Sequence, residues 1–269
     1  MKIWYQSFTH ASLYPAYNRT LAELIASVRD PSTQVDIFSL EQSGGLAKQY
    51  HYLEHLQTTE VLENVEKAVE AGYDAFAIGH FTDSGLAAAR EIASIPVLGL
   101  GEASMLTACM MGRKFSLVGI NPKSLAYVTD NVHAYGLSNR LASVAPMIFD
   151  EPTVLDQGFV DASVQARVVA SFTQAAEQTL SQGSEVIIPA GGIAMALLTQ
   201  AGVHQAGRGA GVLNGIAALI KNAEMAVNLN RFMQGAFTSK QLSYAAPART
   251  EMEAIRQYHG PDVYRSLYR

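Results

Sequence analysis

His80, Asp83 and Ser84 follow directly on an apolar run, Ala75 to Ile78, in the stretch AFAIGHFTDSGL. A neutral imidazole has an ordinary pKa near ~6.5, so it can take or give a proton at neutral pH without much tuning. A carboxylate three residues on, at Asp83, could orient such a ring. The hydroxyls of Thr82 and Ser84 could bind a substrate oxygen. Taken alone, a loop histidine more often satisfies a carbonyl. What raises His80 to a candidate is its place at the carboxyl end of an expected parallel strand, where ligand sites of open α/β sheets lie.

The elements that would carry it alternate. Lys2 to Tyr5 reads as a strand, 17–28 as a helix, Val35 to Leu40 as a strand, and Ser43-Gly44-Gly45 as a loop. A helix capped by Thr58 or Thr59 runs to Gly72, and the strand ending at His80 follows. A short helix over 86–92 and an apolar strand over 96–100 come next. Lys114 to Ile120 then restarts the pattern with the polar loop Asn121-Pro122-Lys123-Ser124, a long helix over 160–182, and a strand over 185–188 before Pro189-Ala190-Gly191-Gly192. Lys2 to His80 spans 78 residues and Lys114 to Ala190 spans 76. The repeat predicts two pseudo-symmetric α/β lobes, each a mostly parallel sheet flanked by helices, with the active site in the cleft between them. Lobe 1 is assigned residues 1–104 and 212–269, lobe 2 residues 105–211. Gln6, Ser7, His51, Thr82, Ser84, Asn121, Ala190, Gly191 and Gly192 are the candidate substrate contacts, with His80 and Asp83 as the catalytic pair.

Bulk properties narrow the classes. The chain has 269 residues, 49% hydrophobic and 16% charged, with a net charge of −5 and no basic block, which argues against nucleic acid as a partner. No run of ~18 apolar residues suggests a membrane span. The single cysteine, Cys109, excludes an internal disulfide framework, fits a reducing cytoplasm and reads as a core thiol. Met105, Met110, Met111 and Met195 read as packing residues. GLGEAS, 99–104, is one glycine short of a dinucleotide fingerprint. Gly207, Gly209 and Gly211 lead toward a helix and offer either an anion-holding helix start or merely a loop of unusual backbone angles. Tyr258, Tyr264, Arg265, Tyr268 and Arg269 in the tail either cover a neighbouring subunit or form a loosely packed end. HYLEH, 51–55, matches the H-x-x-E-H string of one metalloprotease group, but the further carboxylate that zinc needs is not identifiable, so no metal is assigned.

From Lys2 to Val227 the chain resembles the aspartate/glutamate racemase superfamily, nearest its hydantoin racemase branch. AFAIGHFTDSGLAAAREI and VIIPAGGIAM are similar to the family's two active-site loops, with GLGEAS and VLNGIAALIKNAE similar to the segments after them. The resemblance implies a cofactor-independent, oligomeric enzyme acting on a small molecule. It also implies a cysteine at each of two strand ends, and here those positions hold His80 and Ala190. The two-thiol mechanism is therefore absent. A one-sided site based on His80 is compatible with racemase or isomerase chemistry on a small carboxylate, an amino-acid derivative or a hydantoin-type ring. It is also compatible with a decarboxylating lyase, with ring-opening hydrolysis of a cyclic amide, or with a binding protein that has lost catalysis.

Overall fold

The computed structural model of the chain describes residues 1–10, 12–41, 50–148 and 154–267. The first half runs β1 (Lys2–Gln6), α1 (Pro15–Val28), β2 (Gln34–Phe38), α2 (His51–Glu70), β3 (Ala75–Ile78), α3 (Leu86–Ile92), β4 (Val97–Gly99) and α4 (Leu100–Met111). The second runs β5 (Phe115–Gly119), α5 (Pro122–Ala134), β6 (Leu141–Pro146), α6 (Val154–Gln157), α7 (Ala162–Ser181), β7 (Val186–Pro189), α8 (Gly192–Gln200), β8 (Gln205–Ala206), β9 (Ala210–Val212) and α9 (Gly215–Phe232). A short α10 (Met252–His259) follows in the tail.

The strands form two sheets, ordered β2-β1-β3-β4 and β6-β5-β7-β9-β8. Every pairing is parallel except the small β8–β9 hairpin. With the two-residue β8 set aside, both sheets place their strands in the same order. The repeat read from the sequence is thus a repeat of architecture, and the two-lobed α/β fold follows from it. The inner strand β3 is apolar throughout because helices cover both faces: Ala75, Phe76, Ala77 and Ile78 are fully buried. α7 buries Val164, Val168, Phe172 and Ala175 on one stripe, and Asp161 caps its first turn through Ser163 and Val164 N–H.

Several helices tie the lobes together. α9 returns to pack against α1, α4, β3 and β4. α4 itself runs unbroken through residues 104 and 105, so a division there would cut a helix. Asn131 Nδ2 of α5 donates to Thr82 O at 2.7 Å, and the Tyr17 N–H of α1 donates to Asp156 Oδ1 of α6 at 3.0 Å.

Several local expectations change. α2 begins at His51, not near Thr58, and the Thr58 hydroxyl turns back onto Glu54 O as a mid-helix residue does. The Asn121–Ser124 loop is the start of α5: Asn121 and Ser124 form a capping box around Pro122. GLGEAS is the end of β4 and the first turn of α4, not a loop. The glycine-rich stretch does not open a helix. Gly207 and Gly209, with φ of +54° and +109°, turn the β8–β9 hairpin, and α9 starts later with Asn214 as its cap. Met105 and Met195 are core residues, but Met110 and Met111 are exposed. Cys109 is half-buried against the main core. The tail packs on its own first lobe: Tyr264 hydroxyl donates to Glu91, Arg265 pairs with Glu70 at 3.0 Å, and Ser266 N–H donates to Glu66. Tyr258 is exposed. The Ser43–Gly45 loop and the terminal Tyr268 and Arg269 lie outside the described residues. Among the described residues no helix is long and apolar enough to cross a membrane.

Candidate active site

The carboxyl ends of β1, β3 and β7 open on one cavity between the lobes, of about 160 Å³. That is below the ~300–1,000 Å³ typical of clefts for drug-sized ligands, so the cavity suits a small molecule. Ser7, His80, Thr82, Ala190, Gly191 and Gly192 line it, as the sequence predicts, together with Phe8, Tyr17, Glu54 and Gln57.

His80 stands two residues beyond the end of β3, its ring stacked on Phe8 at 4.5 Å between centroids and 13° between planes. Its Nδ1 lies 2.6 Å from Thr82 Oγ1, 3.3 Å from Ser84 Oγ and 3.7 Å from Glu54 Oε1. The hydroxyls of Thr82 and Ser84 both donate to that same Glu54 oxygen. Among the described residues Nε2 makes no hydrogen bond. Burial holds the imidazole below its ordinary range, and the Glu54 carboxylate pulls it part of the way back up. Its surroundings thus favour the neutral form of the imidazole.

Glu54 sits on the inward face of α2 and is only 3% exposed. Its second oxygen, Oε2, is buried with no hydrogen-bond partner. The Tyr127 phenol of α5 faces this carboxylate; burial first, then the charge of Glu54, push it up to about 12.

The opposite strand end is different. Ala190 stands one residue beyond β7 and brings no titratable group. The two positions match as strand ends but not residue for residue: the N–H groups of Gly79 and Ala190 make the same bond back to the neighbouring strand, to Gln6 O and Val118 O, so Ala190 answers to Gly79 and His80 lies one residue further on. What this end offers is backbone. α8 starts at Gly192 without a side-chain cap, and the N–H groups of Gly192, Ile193 and Ala194 have no partner among the described residues. A helix start of this kind holds negative charge. Gly191 N–H, in contrast, is spent on Pro189 O. A Cβ at Gly192 would stand 3.1 Å from the Tyr17 hydroxyl and would push that phenol back by a few tenths of an ångström. Burial keeps Tyr17 protonated, against the pull of its contacts with Tyr5 and Ser7.

Four expected site residues have other work. Asp83 does not reach the imidazole: its oxygens accept from Gly101 N–H at 2.8 Å, Glu102 N–H at 2.7 Å and the Tyr135 hydroxyl at 2.6 Å. It caps α4 and links that helix to α5. Burial pushes its carboxyl up to about 7 despite those three donors, with Glu102 adding to the push. Gln6 is fully buried, bonded to Trp4, Asn64 and the backbone at Ser7 and Phe38. Asn121 caps α5. His51 is exposed and rests on the Tyr127 ring at 4.7 Å. Ser84 does not line the cavity; it acts on His80 from behind. Glu54, Gln57, Tyr17 and Phe8 are among the cavity residues that the sequence does not single out as substrate contacts. Glu54 is the glutamate of HYLEH, so its string was visible while its role was not. Among the described residues no group of three His, Cys, Asp or Glu could hold a metal ion.

A family model described as Asp/Glu/hydantoin racemase matches residues 15–223. The chain belongs to this family. A hydantoin racemase of Pseudomonas sp. (strain NS671) is 29% identical over 204 residues, covering 75% of each chain. The structure of an allantoin racemase from Klebsiella pneumoniae superposes with a TM-score of 0.71 at 25% identity, covering 93% of this chain and 94% of that one. This racemase-family chain is accordingly an enzyme acting on a small molecule. An arylmalonate decarboxylase variant shares the fold more distantly, with a TM-score of 0.55 and 16% identity over 84% of this chain and 92% of that one. The fold by itself therefore does not choose between racemisation and decarboxylation.

Proposed function

We propose that this family member is a cofactor-independent racemase for a small, uncharged ring of the hydantoin type, with His80 as its base. The observation that carries the reading is a neutral imidazole with a free Nε2, placed in one small cavity with a partnerless helix start and a buried carboxylate. Nε2 takes the proton from the ring carbon that lies between an amide nitrogen and a carbonyl. The C–H pair moves into the carbonyl, and the resulting enolate oxygen is stabilised by the N–H groups that open α8. The proton then returns to carbon and the imidazole is neutral again.

Charge selects the substrate. Among the described residues no Lys or Arg lines the cavity, while the Glu54 carboxylate does. An amino acid, aspartate or malonate would bring a carboxylate against Glu54 with no cation to offset it. A neutral ring brings no such charge and develops negative charge only at the α8 end. The hydantoin and allantoin racemases that resemble this chain act, by their names, on rings of this kind.

Because Ala190 supplies no proton, return from His80 to the face it came from competes with inversion. Deuterium uptake at the ring carbon should therefore outpace loss of optical activity. Proton NMR in deuterated water, with enantiopure hydantoins, dihydropyrimidines, amino acids and malonates, tests this. Exchange confined to the neutral rings and faster than racemisation is the expected result. Exchange of free amino acids, ring opening, or carbon dioxide release from malonates would overturn it in favour of the corresponding substrate or reaction.

A further inference from the structure

The structure assigns Glu54 a positioning role: through Thr82 it holds His80 in the tautomer that keeps Nε2 free to act as the base. A count of protons fixes the tautomer. As a carboxylate, Glu54 can only accept. Thr82 and Ser84 each own one hydroxyl proton, and both are aimed at Glu54 Oε1. Thr82 Oγ1 can then meet His80 Nδ1, 2.6 Å away, only as an acceptor. The ring nitrogen must carry the hydrogen, so neutral His80 is protonated at Nδ1 and bare at Nε2. Phe8, stacked on the ring, removes the freedom to flip it.

Once Nε2 takes a proton, the same arrangement stabilises the imidazolium. The positive ring lies 3.7 Å from the carboxylate, with two hydroxyl dipoles oriented between them. Among the described residues no other charged group acts comparably on the ring. From α5, Tyr127 faces Glu54 rather than His80, and from α1, Tyr17 lies at the cavity floor; burial keeps both phenols neutral. Asp83, though three residues from His80, is turned away into α4. The role links α2 to the β3 loop across 28 residues of sequence.

This inference deepens the reading of His80 as base, and its test separates the two. The first readout needs no turnover: nitrogen-15 NMR of the resting protein labelled at histidine. The expected signal is a neutral His80 with protonated Nδ1. In Glu54→Gln the new amide can donate to the hydroxyls, which turns Thr82 toward Nδ1 and moves the proton to Nε2. The second readout is the pH profile of exchange. Glu54→Gln should lower kcat by on the order of 10²- to 10⁴-fold, the range set by a lost base or a wrong tautomer. It should also move the acid limb of kcat/KM to lower pH, because the imidazolium loses its counter-charge. Thr82→Val should lose activity similarly, and Thr82→Ser should restore it, which keeps the test usable if Glu54→Gln folds poorly. A purely structural Glu54 would leave the tautomer and the acid limb where they are, and that result would overturn the assignment. Loss of exchange in the wild type with the tautomer as stated would instead count against the proposed reaction alone.

Discussion

The two lobes repeat one plan and end their central strands in one cavity, yet they equip those ends differently. At the first end a side chain does the work: His80, backed by Thr82, Ser84 and a buried Glu54. At the second, Ala190 is inert and the backbone takes over, through the opening turn of α8. In the proposed reaction one end accepts the proton and the other the negative charge. A symmetric pair of acids would serve both hands of a substrate equally. This pair divides proton transfer from charge stabilisation, which suits a ring whose enolate forms readily and whose return to carbon is the slow choice.

The largest effect should come from exchanging the equipment of the two ends. His80→Ala removes the base and should reduce deuterium exchange by ~10²–10⁴-fold while leaving the circular dichroism close to wild type, since the ring stands at the cavity, outside the strand it follows. Ala190→Cys should do the reverse. A thiol there places an acid on the far side of the cavity, and the ratio of racemisation to exchange should rise toward the ~10²-fold that a positioned acid supplies. If Ala190→Cys left that ratio unchanged, the two strand ends would not face opposite sides of the substrate carbon.

A second contrast lies within the first lobe, between two buried carboxylates. Glu54 and Asp83 are both near the β3 loop, but Asp83 is fully occupied by donors while Glu54 keeps one oxygen bare. Asp83→Asn should therefore act on stability and not on chemistry. One carbonyl oxygen cannot serve Gly101, Glu102 and Tyr135 at once, and the amide NH₂ would face N–H groups. Asparagine does tolerate the backbone there, at φ +54°, so the loss is one of hydrogen bonds alone. Urea unfolding should show about 1–3 kcal/mol of destabilisation, with the pH profile of exchange unmoved. A shifted acid limb in Asp83→Asn would return Asp83 to the catalytic pair.

How far these roles can be read in the sequence depends on the range of the interaction that sets them. β3 and α7 are legible because an unbroken apolar run and a one-sided stripe are local patterns. His80 is legible because strand ends are where such sheets bind ligands. α4 is not: Leu100, Met105, Ala108 and their neighbours are apolar on nearly every side, so the helix period is washed out between the lobes that bury it. The true start of α2 is hidden for the opposite reason, since its first turns mix exposed Tyr52 and Leu56 with buried Glu54 and Gln57. Sequence distance pairs Asp83 with His80 and hides the contact with Glu54. The fold reverses the two by bringing residue 54 under the loop at 80–84 and carrying 83 away to residues 101 and 102.

HYLEH is where that reversal gives its smallest and most discriminating expectation. The string is helical, as zinc binding would require, but His51 and His55 are exposed while Glu54 is buried at the cavity. The histidines and the glutamate thus face different surroundings, and the glutamate is already held by two hydroxyls. The double substitution His51→Ala and His55→Ala should cost no more than the ring contact with Tyr127, within about 0.5 kcal/mol as for other exposed sites. Exchange activity should stay within a factor of two or so of wild type by that same measure, and dialysis against a chelator should not reduce it. Stoichiometric zinc in the purified protein, with activity lost on its removal and in the double variant, would make α2 a metal helix. Glu54 would then be a base in its own right, and His80 would be left as its neighbour.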